Sequence, residues 1–307
     1  MKRMSAARLE RIARDAGRTL MVQEDEIWSR HSSDKVDCAA GLGAVIRTLS
    51  HALPLATPMA ALSVGSGEEP QFRMLAALFR GGVHLLDVEQ ASLDVVAERI
   101  ARQKVPHVGL VRGDYAKLLA DDASTRHFRA RGLAGRRMQL VMFHHSLYYV
   151  PFDAWRGILA RVWKHLMAPA RDGRVGSALH AVMMASHSDD PHTTSWLYQH
   201  FAGRFFGVHN DQDLAAFARS LRREPLGEDQ QVVAKSSRVE FRVDDFARFM
   251  SVVWMILLYP NVHRYTLEQR VEITRYVYEK IWHRGLPLVQ VQDHLALYRG
   301  RAPRGLV

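Results

Sequence analysis

The sequence predicts an α/β protein built on a doubly wound, seven-stranded, mostly parallel sheet, and three observations lead there. Short β-rich apolar runs alternate with helical patterns from Val64 onward, a glycine-bearing turn follows the first run, and an acid ends the second.

Upstream of residue 55, Ser5 to Ile27 and Ala39 to Leu53 carry helical patterning without a strand or a glycine-rich turn, so residues 1–55 are expected to form an N-terminal helical cover. The first strand is ALSVG (Ala61 to Gly65), and QFRMLAALFR follows with Phe72, Leu75, Leu78 and Phe79 at helical spacing. The second, VHLLDV (Val83 to Val88), leads into a helix with Ser92 as its cap and Val95, Val96 and Ile100 on its apolar face. A third strand at His107 to Val111, a fourth at Met138 to Phe143 and a fifth at Arg174 to Met184 are each separated by enough chain for a helix. A helix over Asp211 to Arg223 precedes a sixth strand, QVVAKSSRVEFRV, and the alternating PLVQVQDHLALY is the seventh. Between these last two, residues 245–283 read as an inserted helical pair broken at Pro260 and Asn261.

The 307 residues, 48% hydrophobic and 24% charged, suit a globular protein with one full α/β body over 56–307. The longest apolar stretch, Phe249 to Tyr259, is far short of the about 20 residues that cross a bilayer, which argues against a membrane protein. The first residues lack the continuous apolar centre of a secretory leader, and Glu10 and Asp15 argue against an Arg-rich organellar presequence, so a cytoplasmic protein is expected. With Cys38 as the single cysteine there is neither an internal disulfide nor a cysteine zinc cluster. The net charge of +10 favours polyanions only if the basic residues cluster. They are spread through helices without aromatic interleaving, so a solvated basic surface is favoured over a nucleic-acid track.

The turn Ser63-Val64-Gly65-Ser66-Gly67-Glu68-Glu69-Pro70 suits close approach of backbone to a ligand, and Asp87, twenty residues past Gly67, can accept the ribose hydroxyls of a nucleoside. Dinucleotide sites share both features. Here, however, Pro70 stands where a dinucleotide turn needs a small residue, and Glu68 and Glu69 would repel a diphosphate, so a cationic sulfonium ligand fits the charge better.

On these residues the chain resembles a class I methyltransferase and is similar to histamine N-methyltransferase and its relatives over roughly residues 55 to 225. LSVGSGEE at the turn, LLDVEQASLDVVAERI after the second strand, RGDYAKLL after the third and QLVMFHHSLYYV at the fourth carry the resemblance. It implies S-adenosylmethionine as cofactor, with Gly65 and Gly67 at its methionine part, Asp87 at the ribose, Asp114 and Tyr115 toward the adenine, and Ser63, Ser66 and Val88 as further cofactor-binding residues. It also implies that Phe143 and the loop of His144, His145, Ser146, Tyr148 and Tyr149 meet the sulfonium and the acceptor. His144, His145 and Tyr148 are the catalytic candidates, and Tyr149 and Trp196 are the acceptor-binding candidates. Three departures stand out: Ser63 replaces a common acid, Glu69 a common third glycine, and Gln139 a common Asp.

Methyl transfer is an in-line displacement at a carbon that sulfonium already activates, so the protein aligns the nucleophile, removes a proton where needed and requires no metal. Histidine titrates near neutrality and can serve as that base. His187, His192, His200 and His209 lie near Asp189, Asp190 and Asp211, yet their spacing matches no zinc-binding helix. The helical pair is expected to cover the acceptor site or to form a homodimer face. The expected function is methylation of a small-molecule acceptor, with an amine favoured. The alternatives are an RNA or protein methyltransferase using the basic surface, and a non-catalytic cofactor-binding or partner subunit.

Overall fold

The computed structural model describes residues 3–18, 21–257, 262–303 and 305. The seven predicted strands are present: β1 Ala60–Val64, β2 Gly82–Asp87, β3 Val108–Arg112, β4 Leu140–His144, β5 Ser177–Met184, β6 Gln230–Phe241 and β7 Leu288–Arg299. They form one sheet in the order β3-β2-β1-β4-β5-β7-β6. The pairs β1–β2, β2–β3, β1–β4 and β4–β5 are parallel. Gly176 N–H donates to the Arg299 carbonyl and Ala185 N–H to that of Val291, so β7 runs antiparallel to β5 and the sheet is mixed.

Among the described residues there are twelve α-helices: α1 Ala6–Asp15, α2 Met21–His31, α3 Asp34–Ala52, α4 Phe72–Leu78, α5 Gln90–Gln103, α6 Tyr115–Leu118, α7 Asp122–Gly132, α8 Phe152–Arg161, α9 Thr194–Phe206, α10 Leu214–Arg223, α11 Phe246–Ile256 and α12 Leu267–Lys280. Ser5 to Ile27 is therefore not one helix. The first helix ends at Asp15, before Gly17 with φ +79°, and a second begins at Met21. The predicted cap at Ser92 is also displaced. The Asp87 carboxylate draws in the Glu89 N–H at 2.9 Å, and Glu89 takes the cap position, so α5 starts at Gln90, three residues early, leaving Ser92 inside the first turn. At its other end, Lys104 adopts φ +52° and closes the helix on the Ile100 and Ala101 carbonyls. The predicted break at Pro260 and Asn261 lies outside the described residues.

The chain divides into two compact units, with boundaries that fall inside α3, β5, β6 and β7 and just before α10. The larger comprises 38–183, 214–235 and 293–307. Alternation along its strands sends Leu62, Val64, Val141, Phe143, Leu179 and Ala181 to one core with α6, α7, α8 and α10. The intervening Ala61, Leu140, Met142 and Ala178 join α3, α4 and α5 on the other face. Two apolar faces covered by helices are what a doubly wound sheet requires. Trp155 is fully buried in the first core, its ring centre 5.0 Å from that of Phe152 and 5.6 Å from that of Phe217. Trp155→Ala is expected to lower unfolding free energy by about 3–5 kcal/mol, measured by urea denaturation.

The other unit, 1–37, 184–213 and 236–292, has its own aromatic core. Phe246, Phe249, Tyr278 and Trp282 pack there, with centroids 5.3–6.4 Å apart. The Thr266–Gln269 capping box starts α12, and Thr193 caps α9. Among the described residues no helix is long and apolar enough to cross a membrane.

Candidate functional site

The glycine turn forms because the chain leaving β1 folds back onto the end of β2: the N–H groups of Gly65 and Ser66 both donate to the Leu86 carbonyl, at 2.8 and 3.1 Å. Gly65 has φ +66°, and a Cβ there would stand 2.5 Å from Ser146 Cβ, so the approach of the β1 turn to the loop after β4 requires glycine. Gly67 has φ +51°, but no atom lies within 4 Å of where its Cβ would sit, so its backbone borders open space.

Asp87 ties this turn to the second strand. Its Oδ2 accepts the Gly67 N–H at 2.7 Å and its Oδ1 the Glu89 N–H at 2.9 Å. The two glutamates that follow Gly67 serve the turn itself. Glu69, at φ +48° and 3% exposed, accepts the Gln71 N–H at 3.1 Å, and Glu68 faces Arg99, whose guanidinium also binds its carbonyl. The two acids therefore repel a diphosphate less than their sequence position suggests, because one is folded inward and the other has a cation beside it. Gln139 also has a local role: its Oε1 accepts the Ala60 N–H at 2.7 Å while its own N–H donates to the Ala60 carbonyl, lacing β4 to β1.

The loop after β4 brings two of the catalytic candidates, His145 and Tyr148, together. His145 N–H continues the ladder to the Val182 carbonyl at 2.8 Å, yet the residue takes φ +53°, which turns the chain sharply. The His145 Nδ1 and the Tyr148 hydroxyl are 3.4 Å apart, with nearly stacked rings, and Cys38 Sγ lies 3.9 Å from His145 Nε2. Tyr149 is 67% exposed, whereas Ser146 is buried and its Oγ has no hydrogen-bond partner.

Among the remaining candidates, Ser63 and Ser66 are buried in the turn and Val88 is half exposed just past Asp87. Asp114 caps α6 through the Ala116 N–H at 2.9 Å. Tyr115 and Phe143 pack edge to face in the core, and the Tyr115 hydroxyl donates to the Ser146 carbonyl at 2.7 Å, so this tyrosine braces the loop after β4. Burial raises the Tyr115 hydroxyl pKa, so it stays a donor. Trp196 belongs to the helical unit, where its ring stacks on His200 at 4.3 Å and Tyr276 at 5.4 Å.

Sequence reasoning passed over His180. His144 Nε2 lies 2.9 Å from His180 Nδ1, and the two imidazoles meet edge to face. A single histidine within the apolar run SALHAVMM carries no local signal, and only the β4–β5 register brings the pair together.

The glycine turn, Asp87 and the loop after β4 lie at the carboxyl ends of β1, β2 and β4, and the strand order reverses between β1 and β4, the usual place for a ligand in an open α/β sheet. Open space at Gly67, a carboxylate held at the turn and the unsatisfied Ser146 Oγ suit a nucleoside ligand with a polar tail.

Compared with models of known protein families and with curated proteins, the sequence matches none. Solved structures do resemble the fold. The YcgJ protein from Bacillus subtilis aligns with a TM-score of 0.50 at 10% identity, over 86% of this chain and 100% of that one. A SAM-dependent methyltransferase from Anabaena variabilis aligns at 0.44 and 9%, over 80% and 79% of the two chains. A phosphoethanolamine N-methyltransferase from Haemonchus contortus, solved with phosphomonomethylethanolamine and S-adenosylhomocysteine, aligns at 0.44 and 12%, over 84% and 53%. At these identities the likeness is one of fold, and the fold is the doubly wound, Rossmann-like one that the sequence predicts.

Proposed function

We propose that the chain is an S-adenosylmethionine-dependent methyltransferase of class I that acts on a small-molecule acceptor, with an amine favoured. The observation that carries the reading is the Gly67 N–H bound to the Asp87 carboxylate beside open space at the turn. It joins in one place the two features that the sequence places twenty residues apart.

In this reading the backbone of Gly65 to Gly67 holds the methionine part, Asp87 the ribose hydroxyls, and Val88 and Asp114 the base. Bound there, S-adenosylmethionine supplies a methyl group on a sulfonium sulfur that leaves with the bonding electrons. The chain's own residues then align the acceptor and take its proton. Tyr148 and Tyr149 offer ring faces to a cationic or amine group, and His144 or His145 is the base. Support for an amine comes from the histamine-type pattern FHHSLYYV.

The small-molecule reading is preferred over RNA or protein because part of the basic excess is structural. Arg129, Arg137 and Arg299 donate to the carbonyls of Trp163, Lys164, His165 and Met167, where the π-helical turn Val162–Leu166 ends.

Calorimetry with S-adenosylmethionine and S-adenosylhomocysteine, followed by turnover with amine, carboxylate and thiol acceptors, tests the proposal. Binding with turnover of amines is expected. No binding of either cofactor form overturns it, and binding without turnover of any acceptor assigns the chain to a non-catalytic role.

A further inference from the structure

Three histidines lie in a row on one face of the sheet, on the neighbouring strands β4, β5 and β7. His144 Nε2 is 2.9 Å from His180 Nδ1, and the His180 ring stacks on that of His294 at 5.6 Å with a 30° tilt. His180 is 1% exposed and His294 3%. Helix α3 closes over them at Gly41: a Cβ at that position would stand 2.7 Å from His294 Nδ1 and 3.2 Å from His180 Cε1.

The row lies on the same sheet face as Leu140, Met142, Ala178, Ala296 and Tyr298, which join an apolar core. Burying an imidazole there costs more than burying a leucine of similar size, since its polar atoms leave water. Packing alone gives no reason for a row of imidazoles at this position. The first of them, moreover, ends the strand whose following loop holds the other catalytic candidates.

We propose that His180, backed by His294, is a positioning residue that holds His144 in the tautomer able to accept the acceptor's proton. The inference rests on the methyltransferase reading. His144 Nε2 faces His180 Nδ1, and one of the two must donate. With the proton on His144 Nε2, the lone pair lies on His144 Nδ1, and His180 carries its own proton on Nε2. When the acceptor nitrogen attacks the methyl group, its pair forms the new C–N bond and the S–C pair leaves with sulfur. The surplus proton on nitrogen passes to His144 Nδ1. The resulting imidazolium donates from Nε2 to His180 Nδ1, which stabilises the charge.

That role requires a neutral His180. Burial, and then the neighbouring His144, His294 and Lys235, lower its pKa well below the usual histidine value, so it stays neutral at neutral pH and keeps one ring nitrogen as an acceptor.

The experiment compares wild type, His180→Asn and His180→Phe as full-length chains. Imidazole nitrogen NMR reads the His144 tautomer, calorimetry reads S-adenosylmethionine affinity, and methyl transfer to an amine is followed against pH. Wild type shows His144 protonated at Nε2. His180→Phe is expected to mix the tautomers and slow transfer by about tenfold or more, with cofactor affinity within about twofold of wild type. His180→Asn, whose amide oxygen can replace Nδ1 as acceptor, keeps the tautomer and recovers most of the rate. Unchanged His144 resonances in His180→Phe overturn the inference, as does an Asn variant that has lost the tautomer. If His180→Phe does not fold, the Asn variant decides alone by whether it keeps the Nε2–H form. Absence of cofactor binding by wild type overturns the methyltransferase reading instead, and the tautomer measurement still stands separately.

Discussion

If the chain is the proposed methyltransferase, Asp87→Ala is expected to lower affinity for S-adenosylmethionine by about 100-fold while leaving the chain folded. An ionised carboxylate offers about four lone-pair sites. The Gly67 and Glu89 N–H groups take one on each oxygen, which leaves one on each for the two ribose hydroxyls. Hydrogen bonds to a charged partner contribute about 1.5–3 kcal/mol each, so losing two removes about 3 kcal/mol or more. The same substitution also frees the Gly67 N–H and loosens the turn. Asp87→Asn retains one acceptor oxygen and falls between the two. Calorimetry measures the series, and an alanine variant within about threefold of wild type removes Asp87 from the cofactor site.

Gly65→Ala and Gly67→Ala separate stability from binding at adjacent corners of one turn. Both glycines have positive φ, which costs alanine about 1 kcal/mol. At Gly65 the new methyl group also meets Ser146 Cβ at 2.5 Å, a contact that a short side chain rooted on its own backbone cannot yield without moving the loop. Overpacking of that kind adds about 1–3 kcal/mol, for a total loss of about 2–4 kcal/mol by urea unfolding. At Gly67 the methyl group enters open space, so stability falls by only about 1 kcal/mol. Cofactor affinity falls by about tenfold, because the methyl group fills the approach that ligand and backbone share. Equal destabilisation by the two substitutions, or unchanged affinity in Gly67→Ala, would contradict this division.

The sequence by itself determined the sheet and the order of its strands along the chain. Runs such as ALSV, VHLLD and LVMF are short and apolar, the first followed by glycine and the second ending in an acid, and a parallel strand covered on both faces is written that way. The pairing of turn and acid was legible for the same reason, since residue spacing across one strand–helix–strand unit sets where a glycine turn and the next strand's end meet. Tertiary structure alone decided what the polar side chains do. Glu69 turned inward to its own helix, Gln139 to the neighbouring strand, and Tyr115 to the loop it braces. His180 joined His144 through a register set between strands separated by a long crossover. Apolar patterning is a local property and repeats along the chain, whereas a hydrogen bond between distant side chains depends on distances that exist only once the sheet has closed its pairs.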